Sequence, residues 1–248
     1  MPKQRSTLIC LGLFLLLTSA PIAHAQWNPP NPVTSFEKQA DGMVFTLRSG
    51  VLRLQVCSES IVHVIYSPSG TLPTRKDNVV IKSDWAATPW TMESTDKDVS
   101  IRTSRMIATV NRSTGAIAYS DVAGEKLVEE ASRTLTPAKV NGEDTYRAES
   151  WLSMYGSEEA LYGLGQHQAG VWNYRGASVD LSQENTEIAV PLLVSSKGYG
   201  VFWNNTSRSR VTTALSIPST SARKLPTPST ITFFTAPIST GSSRAIAN

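Results

Sequence analysis

From Met43 onward the chain is dominated by short alternations of apolar and polar positions. Leu52, Leu54 and Val56 alternate with Arg53 and Gln55, and Val62, Val64 and Tyr66 alternate with His63 and Ile65. Successive side chains of a strand point to opposite faces, so a period of two predicts strands with one buried face. Met43 to Arg48, a run opening at Val99 and Ile101, and Met106 to Val110 predict further strands. Turn residues separate them: Asp41-Gly42, Ser49-Gly50, Ser69-Gly70, Ser113-Thr114-Gly115 and Asn141-Gly142. Leu192 to Ser195 and Tyr199 to Trp203 predict a hairpin across Lys197-Gly198. Residues 26–35, QWNPPNPVTS, predict an extended lead-in. No stretch sustains a helical period. Many short strands with regular turns predict an all-β protein, an antiparallel β-sandwich.

The first residues change that picture only at the edge. Lys3 and Arg5 precede an apolar run, Leu8 to Leu17, and Ala23-His24-Ala25 supplies a small-x-small cleavage pattern. Residues 1–25 are therefore expected to be a signal peptide, with Gln26 the mature start and the protein exported to the periplasm or beyond. The run is too short to span a bilayer, so no membrane attachment is expected after cleavage. Cys10 would leave with the signal. Cys57 would then be the mature chain's one cysteine, and the core must hold the fold without a disulfide. The length of 248 residues suits one large domain or two small ones. A formal net charge of +3 arises from scattered Lys and Arg, which gives no nucleic-acid signal. No metal-ligand spacing is visible among the histidines, and no cofactor is expected.

Candidate chemistry concentrates in EEALYGLGQHQAGVWNYRG, Glu158 to Gly176. Gly163 and Gly165 predict a strand-end turn rather than a phosphate loop, because no helix pattern follows them. Glu158 and Glu159 are adjacent, so on a strand they point apart and cannot pair as catalytic carboxylates. His167 reads as a hydrogen-bonded structural histidine, and Arg175 as an anchor for a carboxylate. Trp172 and Tyr174 suit packing, in the core or against a further domain. Both are also candidate platforms for a sugar, Trp172 first, since an aromatic face covers the apolar face of a pyranose.

The phrases LYGLGQ and NYRG, followed by LSQENTEIAVPLLVSSKGYGVFWNN (Leu181 to Asn205), resemble in order and spacing the N-terminal β-sandwich of glycoside hydrolase family 31, of the bacterial α-xylosidase and α-glucosidase type. The resemblance covers about residues 36–213 and is most specific over 160–205. It implies a galactose-mutarotase-like sandwich that precedes a (β/α)8 barrel. The barrel holds the nucleophile and the acid/base aspartates of a retaining mechanism. No W-x-D-M motif of that kind occurs here, and 248 residues cannot hold sandwich and barrel together. The resemblance thus implies a domain without catalytic residues, from an enzyme that acts on non-reducing-end α-xylosides or α-glucosides, with an oligosaccharide or α-glycoside as its ligand. In the family a sandwich loop reaches over the barrel mouth. Here it corresponds to Gln183 to Glu187, with Asn185 and Thr186 as the residues placed to hydrogen-bond a sugar hydroxyl. Two alternatives remain at this stage: a stand-alone carbohydrate-binding sandwich, and a mutarotase-like epimerase. The epimerase would need His63 or His167 to converge with a carboxylate.

Residues 214–248 do not match the family. They are rich in Ser, Thr, Pro and Ala, a composition that predicts a disordered linker. The codons offer a sharper expectation. If each codon is rebuilt from the last base of one and the first two of the next, Phe233-Phe234 allows only Phe or Leu, and Phe234-Thr235 only Tyr or His. Thr230 to Asn248 can then spell DYFFYGPDIDRVIAGYR, similar to the YFFYGPD phrase that leads toward the family's barrel. This predicts a frameshift between about Arg210 and Thr230. It would replace the strand that closes the sandwich and remove its barrel partner.

Overall fold

The computed structural model describes residues 30–72, 80, 82, 84–155, 158–204, 207–213 and 219–225. The expected signal peptide and residues 214–218 and 226–248 of the tail lie outside the described residues. Sixteen strands and no helix form three antiparallel sheets among the described residues.

The first sheet is a four-stranded meander of β1 (Val33–Gln39), β2 (Gly42–Leu47), β3 (Val51–Ser58) and β4 (Ile61–Ser67). The predicted alternation appears directly in its burial. Met43, Phe45, Leu52, Leu54, Val62 and Val64 are fully buried, while Arg53, Gln55, His63 and Ile65 lie on the other face. β1 begins inside the expected lead-in, at Val33. The residues before it are held by Asn31, whose side chain donates to the Ser49 carbonyl and accepts from the Ser49 amide, both at 2.8 Å.

The second sheet has nine strands in the order β12–β15–β16–β10–β9–β8–β7–β6–β5. In chain order these are β5 (Thr91–Ser94), β6 (Asp98–Arg102), β7 (Met106–Asn111), β8 (Ile117–Asp121), β9 (Lys126–Val140), β10 (Glu143–Met154), β12 (Ser178–Leu181), β15 (Ser209–Thr212) and β16 (Ser219–Leu225). Val99, Ile101, Met106, Ala108, Val110, Ile117, Tyr119 and Val128 come from its inner face, and they join the residues of the first sheet in one core. The third sheet pairs β11 (Leu161–Gln166) with β13 (Ile188–Ser195), and β13 with β14 (Gly200–Phe202). Its Leu161, Leu164, Leu193 and Val201 enter the same core.

Two elements depart from the sequence expectations. The β9–β10 hairpin shows no clean alternation, and β9 contains Pro137. Pro137 is tolerated because β8 pairs with β9 only as far as Glu129, so the side away from β10 has no strand waiting for its missing N–H. The turn of this hairpin follows expectation: Asn141 and Gly142 both have positive φ, 53° and 84°, as a two-residue hairpin turn of matching twist requires. The second departure is in the tail. The stretch whose composition predicts a disordered linker contributes β16, which pairs with β10 on one side and β15 on the other. Main-chain pairing needs no particular side chain, so composition alone is a poor guide to such a strand.

Candidate functional site

The third sheet and the loops at its end hold most of the residues singled out by the sequence, Asn185, Thr186, Trp172 and His167 among them. Its construction begins with glycine. Gly163 and Gly165 do not end a strand; they lie within β11, with φ of 100° and 102°, and Leu164 between them has φ 62°. The register against β13 shifts at this point. Leu164 alone separates the paired Gly163 and Gly165, while Val190, Pro191 and Leu192 separate their partners, so the extra residues of the bulge lie on β13. A Cβ on Gly165 would sit 1.9 Å from the Ile188 carbonyl oxygen, and one on Gly163 2.4 Å from that of Leu192. Only glycine lets the two strands approach this closely. The three positive-φ residues turn Leu164 into the core, and β11 ends at Gln166, opposite Ile188.

From that point the chain runs through His167 and Gln168, which tie it to a tight turn at Glu184–Glu187. Glu184 and Glu187 form an isolated bridge with Asn185 and Thr186 at the tip, and the Glu187 amide donates to the Glu184 carbonyl at 3.4 Å. Thr186 has φ 69°, a backbone state that β-branched residues rarely adopt. Gln168 holds it there: its side-chain amide donates to the Thr186 hydroxyl, and its main-chain amide donates to Glu187 Oε1 at 3.2 Å. Gln183 braces the other side, donating to the Glu187 carbonyl at 2.9 Å and accepting from the Ala189 amide at 3.3 Å. Asn185 and Thr186 are exposed. The turn thus presents a side-chain amide and a hydroxyl on a braced support.

His167 is buried beside this turn. One ring nitrogen, Nε2, lies 2.8 Å from the Leu164 carbonyl, and the other, Nδ1, lies 3.5 Å from Glu187 Oε2. Its ring meets Tyr174 edge-on at 6.5 Å. A histidine and a carboxylate do converge here, a partner that sequence reasoning did not supply. Nε2 is spent on the Leu164 carbonyl, however, Nδ1 faces Glu187, and the side chain is only 7% exposed. His63 lies on β4 of the first sheet, opposite Gln55.

Tyr174 is core, as packing predicts, but Trp172 is not: it is 85% exposed. The loop from Gln166 to Tyr174 buries one aromatic and extends the other into solvent. Val171, Ile188 and Val190 are also exposed, the last two on one face of β13.

Below the site lies a buried acid that the sequence pattern hid. Glu158 is exposed and Glu159 buried, so the two do point apart. Glu159 Oε1 accepts from the Ser195 hydroxyl and, at 2.5 Å, from the Tyr199 hydroxyl. Arg175 Nη1 donates to the Glu159 main-chain carbonyl at 2.8 Å. Burial, together with the carboxylate of Glu159, holds the Tyr199 phenol far above its ordinary range. These contacts pin the start of β11 to the β13–β14 hairpin. A signal existed in Tyr199 of KGYG, a polar aromatic at the entry to the apolar strand β14.

Residues 51–211 match the Glycosyl hydrolase 31 N-terminal galactose mutarotase-like domain. The chain belongs to that family. This glycosyl hydrolase 31 domain is 31% identical over 174 residues to an α-xylosidase of Saccharolobus solfataricus, covering 65% of this chain and 23% of the relative. A 47-residue stretch is 47% identical to an uncharacterized family 31 glucosidase of Pseudescherichia vulneris, covering 19% of this chain and 9% of the relative. Among solved structures it superimposes on the family 31 α-xylosidase of Xanthomonas citri with a TM-score of 0.66 and 29% identity, over 71% of this chain and 19% of that one. It also shares the fold of a soil-metagenome family 31 α-xylosidase complexed with xylose, with a TM-score of 0.69 and 22% identity, over 82% of this chain and 32% of that one. The chain therefore spans about a quarter or less of the length of the curated relatives it matches. The portion matched is the N-terminal, galactose mutarotase-like portion, as the order of phrases from LYGLGQ to GVFWNN implied.

Proposed function

We propose that this domain forms the sandwich wall of the substrate pocket of an exported α-glycosidase acting on non-reducing-end α-xylosides or α-glucosides, and that it has no hydrolytic activity of its own. The observation that carries the reading is the braced Glu184–Glu187 turn. Its tip exposes Asn185 and Thr186, the latter in a strained backbone state, and the turn is held by Gln168 and Gln183. Strain maintained by dedicated hydrogen bonds is the pattern expected where a loop must present polar groups in one geometry. In this reading Asn185 and Thr186 hydrogen-bond a sugar hydroxyl. Trp172 offers its face to a pyranose or to the barrel, and Val171, Ile188 and Val190 extend that contact. A turn supplies only one wall of a pocket, so the isolated domain binds sugar weakly.

The test uses the secreted chain. Incubation with p-nitrophenyl α-xyloside and α-glucoside should release no nitrophenol, and calorimetry with xylose or isomaltose should give dissociation constants no tighter than millimolar. Turnover, or micromolar binding without a barrel, would overturn the reading in favour of an independent enzyme or binding module. Export is tested by the mass of the secreted product, which should begin at Gln26. We propose also that residues 214–248 are read out of frame. The nucleotide sequence from codon 200 onward tests this: the shifted frame should stay open into a barrel carrying a W-x-D-M aspartate, and early stops in both frames would end the idea.

A further inference from the structure

The order of the nine-stranded sheet leads to an inference about the tail. β12 and β15 pair with each other, Ser178–Leu181 against Ser209–Thr212, and they reach the rest of the sheet only through β16. Six residue pairs join β16 to β10, from Tyr146↔Leu225 to Trp151↔Ser219, and four join it to β15, from Ser209↔Ala222 to Thr212↔Ser219. β12 leads through Ser182 directly into Gln183, which braces the Glu184–Glu187 turn. The β12–β15 ribbon is also clipped to the Tyr174 loop: the Gly176 amide donates to the Thr213 carbonyl at 2.7 Å, and the Thr213 amide to the Ala177 carbonyl at 2.9 Å. We infer that Ser219–Leu225 is a detachable strap, which fastens the β12–β15 ribbon to β10 and so governs the opening of the ribbon that carries the near side of the turn.

The competing arrangement is that Leu181 and Val211, both buried in the common core, hold the ribbon without help. Two short strands pairing only with each other are marginal in water, so the third strand should matter. The strap works through main-chain hydrogen bonds, so the inference stands whatever frame encodes the tail, and it does not depend on what the turn binds.

Amide hydrogen exchange on the full secreted chain decides between them. Ala222 pairs with Ala148 on one side and Ser209 on the other, and Ala222→Pro removes its N–H from the middle of the strap. The strap reading expects amides of β12 and β15 in the variant to exchange at least ten-fold faster, while those of β2, β3 and β4 are unchanged. Fast exchange in residues 219–225 with β12 and β15 still protected would overturn it. If the variant loses protection in β2–β4 as well, the wild-type chain in increasing sub-denaturing urea gives the answer. There β12, β15 and β16 must open together with one common slope and free energy, and separate openings, or an unprotected β16, refute the strap.

Discussion

The β3–β4 hairpin and the β11–β13 pair are both antiparallel, yet they are built by opposite means. In β3 and β4 apolar positions at a spacing of two are buried, the register slips only at the Ser58 end, and the buried pairs are Leu52 with Tyr66, Leu54 with Val64 and Val56 with Val62. In β11 two of six residues are glycines, three consecutive residues have positive φ, and the register against β13 shifts between Gly163 and Gly165. The first pair is held by side chains and would tolerate many backbones. The second is held by main-chain proximity and polar braces, and it tolerates few side-chain changes. Stability and presentation have been given to different sheets.

The largest way to probe that contrast is a cavity in the packed sheet. Leu54 is fully buried, and Leu54→Ala should cost about 2–5 kcal/mol by urea denaturation. Next comes a methyl group in the β11–β13 pair. Gly165→Ala adds a Cβ with 1.9 Å of room at φ 102°, and strain of that kind costs about 1–3 kcal/mol. Its loss should appear first as faster exchange in β11 and β13 rather than in β2–β4. Tyr199→Phe leaves Glu159 Oε1 with the Ser195 hydroxyl alone and should cost about 1–3 kcal/mol. If it costs nothing, the buried acid is not a brace.

Smaller effects follow. Burial pushes the Cys57 thiol from 9.0 up to about 12. The folded state therefore keeps its proton where the unfolded chain has lost it. The contribution is complete below pH 9 and disappears as pH rises from there toward 12, with denaturation midpoints falling accordingly. Thiol reagents at pH 8 should label Cys57 only after unfolding. The smallest effect is expected at Trp172, where Trp172→Ala should move stability by no more than about 0.5 kcal/mol despite the size of the deletion. A larger loss would mean that Trp172 supports the fold.

The strands of the first sheet and of β6–β7 were legible because one face of each is buried, and Leu52, Leu54, Val62 and Val64 record that face directly. The β9–β10 hairpin was legible only at its Asn141-Gly142 turn, since its exposed outer half carries no alternation to read. The Glu184–Glu187 turn was reached through resemblance. Its braces were not, because Gln168 and Glu187 are brought together from positions nineteen residues apart by the β11–β13 pairing, which ends at Gln166 opposite Ile188. The exposure of Trp172 was invisible for a plainer reason: an aromatic beside glycines fits a core or a surface equally well until the loop is folded. β16 was missed because pairing through the main chain leaves no hydrophobic trace.

Trp172 also gives the molecule an optical handle. An indole 85% open to water emits at long wavelength and is reached freely by dissolved quenchers. Anything that settles over the Gln166–Tyr174 loop, whether sugar or protein, must shift that emission to the blue and shield it from acrylamide. The difference spectrum between the wild-type chain and Trp172→Ala therefore isolates a native reporter of occupancy at the end of the third sheet, with no label attached.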